Sequence, residues 1–381
     1  MSFDVDRLRR DEFPWAAAGE SIYLNTASTG PLPRRSVAAI AAFNEMRAAP
    51  HRLTEDFQFR TLARSRELLA KLIRADASEI ALTTNTGFGI NMAATSLPLG
   101  AGDVVIGVAN EFPANVYPWM AAARRRGFEF RMLPASKGIP SQEQLLGTLD
   151  DPAVKAVAVS WVGFASGYRF DLAAVGAACK TRGITFCVDA IQGLGPATLD
   201  VKACSIDILA CGAQKWLLSP WGTGFVYIRR DLVPSLEPVF VSWMGVRGSD
   251  DFARLVDYDM TWRDDARRFE FITLPFQEFA GLNASLDLLF EIGPETIASY
   301  TTTLADRILA WRDDTAVEFI TPSDPAHRAG IIALRLADSA ARSERLKNAG
   351  VVHSLREGAI RLAPYFFNTA DEIDQTLEIL K

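Results

Sequence analysis

Residues 153–190 read AVKAVAVSWVGFASGYRFDLAAVGAACKTRGITFCVDA. The runs AVKAVAVSWV (153–162) and ITFCVDA (184–190) are continuous and apolar, the signature of strands covered on both faces. DLAAVGAACKTR (171–182) between them is amphipathic and of helical length. The same alternation continues on either side. Upstream lie a strand DVVIGVA (103–109), a helix PWMAAARRR (118–126), a strand FEFRML (128–133) and a helix SQEQLLGTL (141–149). Downstream, SIDILACGAQ (205–214) and TGFVYIRR (223–230) complete the series. Strands of this kind separated by helices predict an α/β fold with a mostly parallel, doubly wound sheet. Such sheets bind ligands outside the carboxyl ends of their strands, so chemistry is sought there.

From about residue 275 the pattern changes. A helical region (276–312) precedes VEFI (317–320), IIALRL (331–336), a helix SAARSERLKNAG (339–350), VVHSL (351–355), AIRLAP (359–364) and a closing helix TADEIDQTLEIL (369–380). This predicts a smaller C-terminal α+β domain with an antiparallel sheet. The expected division is an N-terminal segment 1–22, a large domain 23–274 and a small domain 275–381, in keeping with usual domain sizes for 381 residues. No repeat, low-complexity tract or long linker interrupts it.

With 49% hydrophobic and 23% charged residues the chain can bury a sizeable core. The net charge is −6, with both signs mixed along the chain and no basic stripe, which speaks against nucleic acid as a partner. The start, MSFDVDRLRRDEF, lacks the apolar core of a signal peptide, and no apolar run reaches membrane-spanning length, so a cytoplasmic protein is expected. Cys179, Cys187, Cys204 and Cys211 sit singly in apolar stretches and are expected to be free thiols. His51, His327 and His353 lie far apart, and no metal site is expected.

Asp189 ends one apolar strand and Lys215 lies just past another, so both face one crevice. Alone, a strand-terminal aspartate is as readily a helix cap, and a lone lysine usually has its ammonium in water. Lys215, however, stands between ILAC and WLLSPW in a chain where arginine greatly outnumbers lysine. A desolvated lysine has a lowered pKa and serves as an amine nucleophile. An amine paired with a carboxylate is what pyridoxal phosphate chemistry needs. The lysine forms a Schiff base and moves the Cα proton, while the acid keeps the pyridine nitrogen protonated. TTNTGFGINMAATSL (83–97) runs from a strand into a helix, with Gly87 and Gly89 expected in the turn. Its N–H groups and the hydroxyl of Thr86 suit a phosphate, although an ordinary capped helix reads the same way.

YLNTASTGPLP (23–33), TTNTGFGIN (83–91), EFPANVYPW (111–119), VDAIQGLG (188–195), GAQKWLLSPWGTGFVYIRR (212–230), RRFE (267–270) and REGAIRLAPYFFNTADEID (356–374) follow one another in a telling order. In that order and spacing the chain resembles class V aminotransferase-like enzymes of pyridoxal phosphate fold type I, a group with cysteine desulfurases, kynureninases and isopenicillin N epimerase-like proteins. The resemblance implies pyridoxal 5'-phosphate as cofactor, with Lys215 as the Schiff-base lysine and Asp189 as the pyridine-nitrogen partner. It further implies Gln192 for the ring hydroxyl, and Thr86 and Gly87 for the phosphate. Gln214 matches a position where many relatives have a phosphate-touching histidine. Thr273 resembles a residue that reaches the neighbouring subunit's phosphate, implying a homodimer. Arg361 matches the arginine that grips the substrate α-carboxylate; by its own sequence context it reads equally as a solvated strand residue.

Three departures separate the chain from cysteine desulfurases. Phe112 stands where they stack a histidine on the ring, and it cannot exchange protons. The stretch GVVHSLREGAIR (350–361) holds no cysteine where they carry a nucleophilic one. Phe164 also replaces a polar cofactor-side residue. The wording leans toward the isopenicillin N epimerase-like branch. The expected activity, through an external aldimine at the Cα of a small-molecule amino acid, is transaminase-like or that of an epimerase or racemase. The alternatives are a C–S or other β/γ-elimination lyase and, more weakly, a non-catalytic regulator on the same fold.

Overall fold

The computed structural model describes residues 3–136, 138–311 and 317–381. Seven strands build the central sheet: β1 (Ile80–Thr83), β2 (Val104–Val108), β3 (Glu129–Leu133), β4 (Val154–Ser160), β5 (Thr185–Asp189), β6 (Ile208–Gly212) and β7 (Gly224–Ile228). Their order across the sheet is β1-β7-β6-β5-β4-β2-β3. The strands from β3 to β6 pair in parallel, and only β7 runs against its neighbours β6 and β1. The carboxyl ends of β1, β2, β4, β5 and β6 therefore share one edge. The chain moves outward from β2 to β3 and then crosses back to β4, so the topological switch point lies between β2 and β4. By the rule for open α/β sheets, that is where the crevice opens.

The local reasons are visible in the residues. The apolar strands β2, β5 and β6 are buried almost throughout, as a sheet covered on both faces requires. The helix Thr86–Ser96 is capped by Asn85, whose Oδ1 accepts the N–H of Phe88 at 2.9 Å. Gly87 and Gly89 lie inside its first turns, not in the preceding turn where the sequence pattern puts them. Gly89 is there because the helix lies hard on the sheet: a Cβ would sit 2.5 Å from Val226 and 2.7 Å from Ala210. That contact fixes the helix start at the functional edge.

The RRFE segment has a structural task. Glu270 is buried and takes two hydrogen bonds from buried Arg66, at 2.7 and 2.6 Å, and a third from the Leu82 N–H of β1 at 2.9 Å. It thus pins the edge strand that leads into the Thr86 helix. Removing one partner of such a buried pair costs about 3–5 kcal/mol.

The C-terminal sheet is antiparallel: β8 (Glu318–Phe319), β9 (Ile332–Arg335), β10 (Ser354–Arg356) and β11 (Ala359–Leu362), in the order β8-β9-β11-β10. VVHSL is not one strand. Val351–Val352 pairs in parallel with Ile22–Tyr23, and only from Ser354 does the chain join the four-stranded sheet. The helical region 276–312 is two helices, Phe276–Ile292 and Pro294–Leu309, parted at Gly293 (φ 94°) and restarted by Pro294; residue 312 lies outside the described residues. The first of them packs on helices Arg34–Ala48 and Glu55–Ile73, with Ser285 bonded to Ser36 at 2.7 Å. No described helix is long and apolar enough to cross a membrane.

Candidate active site at the carboxyl edge of the sheet

Asp189 is the last residue of β5 and only 2% exposed. Its Oδ1 accepts the Ile191 N–H at 3.0 Å. Burial outweighs that bond and lifts the carboxyl to about 7, helped by the nearby charge of Glu111 and opposed by that of Lys215. Lys215 follows the adjacent strand β6. Burial of its ammonium group brings it down to about 8, against the pull of Asp189, and Arg361 adds to the lowering. The two sequence-adjacent strand ends thus place an amine and an acid in one crevice, each shifted toward its neutral form. The solvated-lysine reading does not hold.

Phe112 stands over this pair. Its ring centroid is 5.6 Å from Lys215 Nζ, and it meets Phe164 edge-on at 5.3 Å. Phe112 remains 44% exposed, so its ring is only partly covered. Gln192 is buried and largely committed: its Nε2 donates to Ala27 O at 2.9 Å, and its Oε1 accepts the Trp216 indole N–H at 2.8 Å. One amide N–H is left to offer.

Thr86, Gly87 and Gln214 gather at the helix start. Thr86 Oγ1 accepts the Gly212 N–H at 2.8 Å, and a side chain on Gly212 would meet Gln214 Oε1 at 2.5 Å. Asn85 takes only the N–H of Phe88, while the first-turn donors of a helix have no acceptors within it. Thr273 is exposed, as is Phe271 two residues before it, at 51%, and among the described residues no hydrogen bond links Thr273 to this cluster.

Arg361, on β11, is 2% exposed, which overturns the solvated-strand alternative. Nη1 donates to the Phe164 carbonyl at 2.7 Å and Nη2 to Ser28 Oγ at 2.7 Å, with Ser354 Oγ at 3.5 Å. Its Nε has no partner, and among the described residues no carboxylate neutralises it. Burial draws its pKa down to about 10.

Three contributors escaped the sequence reading. Glu111, next to Phe112, crosses the switch point: its Oε2 accepts the Ser160 N–H at 2.6 Å and Asn115 Nδ2 at 3.2 Å, and its Oε1 accepts the Phe112 N–H at 3.0 Å. It ties the end of β2 to the end of β4 and so fixes where Phe112 stands. Ser28 holds Arg361. Gly30 lies so close to the lysine backbone that a Cβ would fall 1.9 Å from Lys215 O. The YLNTASTG segment therefore backs both cations of the site.

The four cysteines are free; three are buried, Cys204 is partly so, and burial pushes all four thiols up. Between β10 and β11 the chain turns in two residues, Glu357 (φ 48°) and Gly358 (φ 75°), with Arg356 paired to Ala359. This is a tight hairpin of the primed type. It leaves neither a cysteine nor a loop to carry one. Among the described residues no cluster of His, Cys, Asp or Glu could hold a metal ion.

A family model described as aminotransferase class-V matches residues 22–375. An isopenicillin N epimerase of Streptomyces clavuligerus is 29% identical over 380 residues, covering 94% of each chain. A cysteine desulfurase of Klebsiella pneumoniae is 31% identical over 349 residues, with 88% of this chain and 84% of the relative covered. Among solved structures, the cystine C–S lyase C-DES with its product cysteine persulfide superposes with a TM-score of 0.87 at 22% identity, covering 97% of this chain and 99% of the other. That likeness establishes the fold, the large mostly parallel sheet of fold-type I enzymes.

Proposed function

The chain belongs to the class V aminotransferase family, enzymes whose cofactor is pyridoxal phosphate, and from that premise we propose that it acts at the Cα of an amino acid, by transamination or by epimerisation. The observation that carries this reading is Arg361, a buried cation with an orphaned Nε whose charge bears on Lys215. A buried guanidinium needs an anion, and its fork matches the two oxygens of an α-carboxylate. The crevice residues fit the cofactor: an amine near neutrality, a buried acid, a partly covered aromatic ring and a helix start with free donors.

When bound, pyridoxal phosphate supplies a carbonyl that condenses with amines and a ring that accepts electrons from the bonds at Cα. The chain's residues do the rest. Lys215 anchors the cofactor and, with a pKa near neutrality, takes and returns the Cα proton. Asp189, as the carboxylate, holds a proton on the ring nitrogen. Phe112 covers a ring face, and Gln192 offers its remaining N–H to the ring hydroxyl. Thr86, Gly87 and Gln214 take the phosphate, and Arg361 holds the α-carboxylate. With no acid on Phe112, proton movement at Cα rests on Lys215, which suffices for a 1,3-proton shift; an inversion would take its returning proton from water on the opposite face. Persulfide chemistry is disfavoured, since the hairpin at Glu357–Gly358 offers no thiolate.

The test is holoenzyme with a panel of amino acids in D2O. A suitable substrate exchanges its Cα proton for deuterium or converts the cofactor to its pyridoxamine form, and cysteine releases little sulfide or alanine. Rapid alanine formation from cysteine would sink this reading. Ammonia and a keto acid without the pyridoxamine form would point to an elimination lyase.

The working unit in this proposal is a homodimer, with Thr273 of one chain near the phosphate bound by the other. Exposed Val241, Trp243, Tyr258 and Met260 support it, because they line one hollow and clustered exposed apolar side chains mark an interaction face. Mixing Lys215→Ala with Thr273→Ala chains is expected to restore part of the activity. A fully active monomer at low concentration would refute the arrangement.

A further inference from the structure

Arg361 accounts for one substrate carboxylate, yet the crevice holds a second uncommitted cation. Arg356 ends β10, immediately before the tight turn Glu357–Gly358. In the antiparallel register Ser354 lies opposite Arg361. Cross-strand partners share a sheet face, and so do residues two apart on one strand. Ser354 does point to the site: its hydroxyl is 3.5 Å from Arg361 Nη2 and 2.7 Å from Asn25 Oδ1. Arg356 therefore projects from the same face, at the crevice mouth. Its positive charge bears on both Lys215 and Arg361.

Arg356 is exposed and makes no ion pair among the described residues; its hydrogen bond is Nη1 to the Leu355 carbonyl at 3.0 Å. The neighbouring Arg335, by contrast, is paired with Glu318 at 3.1 Å. The carboxylates of the crevice do not serve Arg356. Asp189 lies at the floor with Lys215, and Glu111 is engaged by three donors. The walls nearest Lys215, Phe112 and Phe164, carry no charge. The crevice, floor to mouth, thus holds Lys215, Arg361 and Arg356 against a substrate carboxylate that only Arg361 is needed to bind.

We propose that Arg356 binds a second carboxylate, carried on the substrate's side chain, so that the preferred substrates are dicarboxylic amino acids. This rests on the reading of Arg361 as the α-carboxylate site. The short hairpin suits the task, since two residues with positive φ fix the end of β10 and leave only the arginine side chain to adapt to substrate length. The amides of the same length, with an identical shape and no charge, are the discriminating comparison.

The experiment measures Cα deuterium exchange and kcat/KM of the holoenzyme with glutamate against glutamine and aspartate against asparagine, in the natural chain and in Arg356→Gln. Calorimetry with glutarate against butyrate adds a readout that needs no turnover. An acid preference of roughly 10-fold or more, the size of a charge-assisted hydrogen bond at a partly exposed site, is expected, along with tighter glutarate binding. Both advantages should collapse in Arg356→Gln and partly return in Arg356→Lys. Amides reacting as well as acids, or an acid preference that survives in Arg356→Gln, overturns the proposal. Exchange with apolar amino acids and no acid preference removes Arg356 alone, whereas no exchange with any amino acid removes the Cα reading and this inference with it.

Discussion

Lys215→Ala leaves a holoprotein whose cofactor borohydride can no longer fix to the chain, and lowers turnover by roughly 10³-fold or more. Two losses combine. The covalent anchor goes, and so does the group that moves the Cα proton, which by itself is worth about 10²–10⁴-fold. Some cofactor affinity remains, because the donors at Thr86 and Gly87 and the carboxylate of Asp189 are untouched. Added methylamine should restore a fraction of the proton transfer, which a merely misfolded variant would not show. The reagent distinguishes the site sharply. Lys202 is exposed and ion-paired to Asp76 at 3.0 Å, which raises its pKa, so it is a poor nucleophile at neutral pH. Lys215, brought to about 8 by burial, carries far more free amine there. Peptide mapping of the reduced holoprotein should find the label on Lys215; a label on Lys202 would show the site is elsewhere.

How much of this was legible beforehand varies residue by residue. Asp189 and Lys215 were readable because each abuts an apolar strand, and strand ends in a parallel sheet share an edge by construction. Arg361 was readable only through family resemblance, since IRLAP does not reveal that β9 and β10 flank it and bury its guanidinium. Glu111 was missed for a topological reason. Its partner Ser160 is 49 residues away and becomes its neighbour only because the chain crosses back at the switch point. RRFE was noticed as a motif without a task, and the task needed the distance from Arg66, 204 residues earlier. The break at Gly293-Pro294 carried a plain local signal that the apolar content of the flanking helices masked.

Asp189→Ala is expected to cut turnover by about 100-fold or more while borohydride still fixes the cofactor to Lys215. The two halves of that result separate electronic from structural roles. Covalent attachment needs only the amine, whereas uptake of electrons by the ring needs a protonated nitrogen, and without Asp189 that proton loses its carboxylate partner. Near-normal activity would reduce Asp189 to a backbone clasp for Ile191. The same group leaves a second signature in the protein without cofactor. Its unfolded pKa is 3.8 and burial raises the folded value to about 7. Between those values the folded chain binds more protons than the unfolded one, so stability falls as pH rises. The contribution is fully present below about pH 3.8 and is lost as pH climbs through 7. Lys215 acts the other way: with a folded pKa of about 8 against 10.5 unfolded, its burial adds stability as pH rises across that interval. Melting temperatures of the cofactor-free protein scanned from pH 4 to 7 should therefore fall relative to those of Asp189→Asn, which has no proton to lose. Parallel profiles for the two proteins would mean that Asp189 is ionised already, and that burial does not govern it.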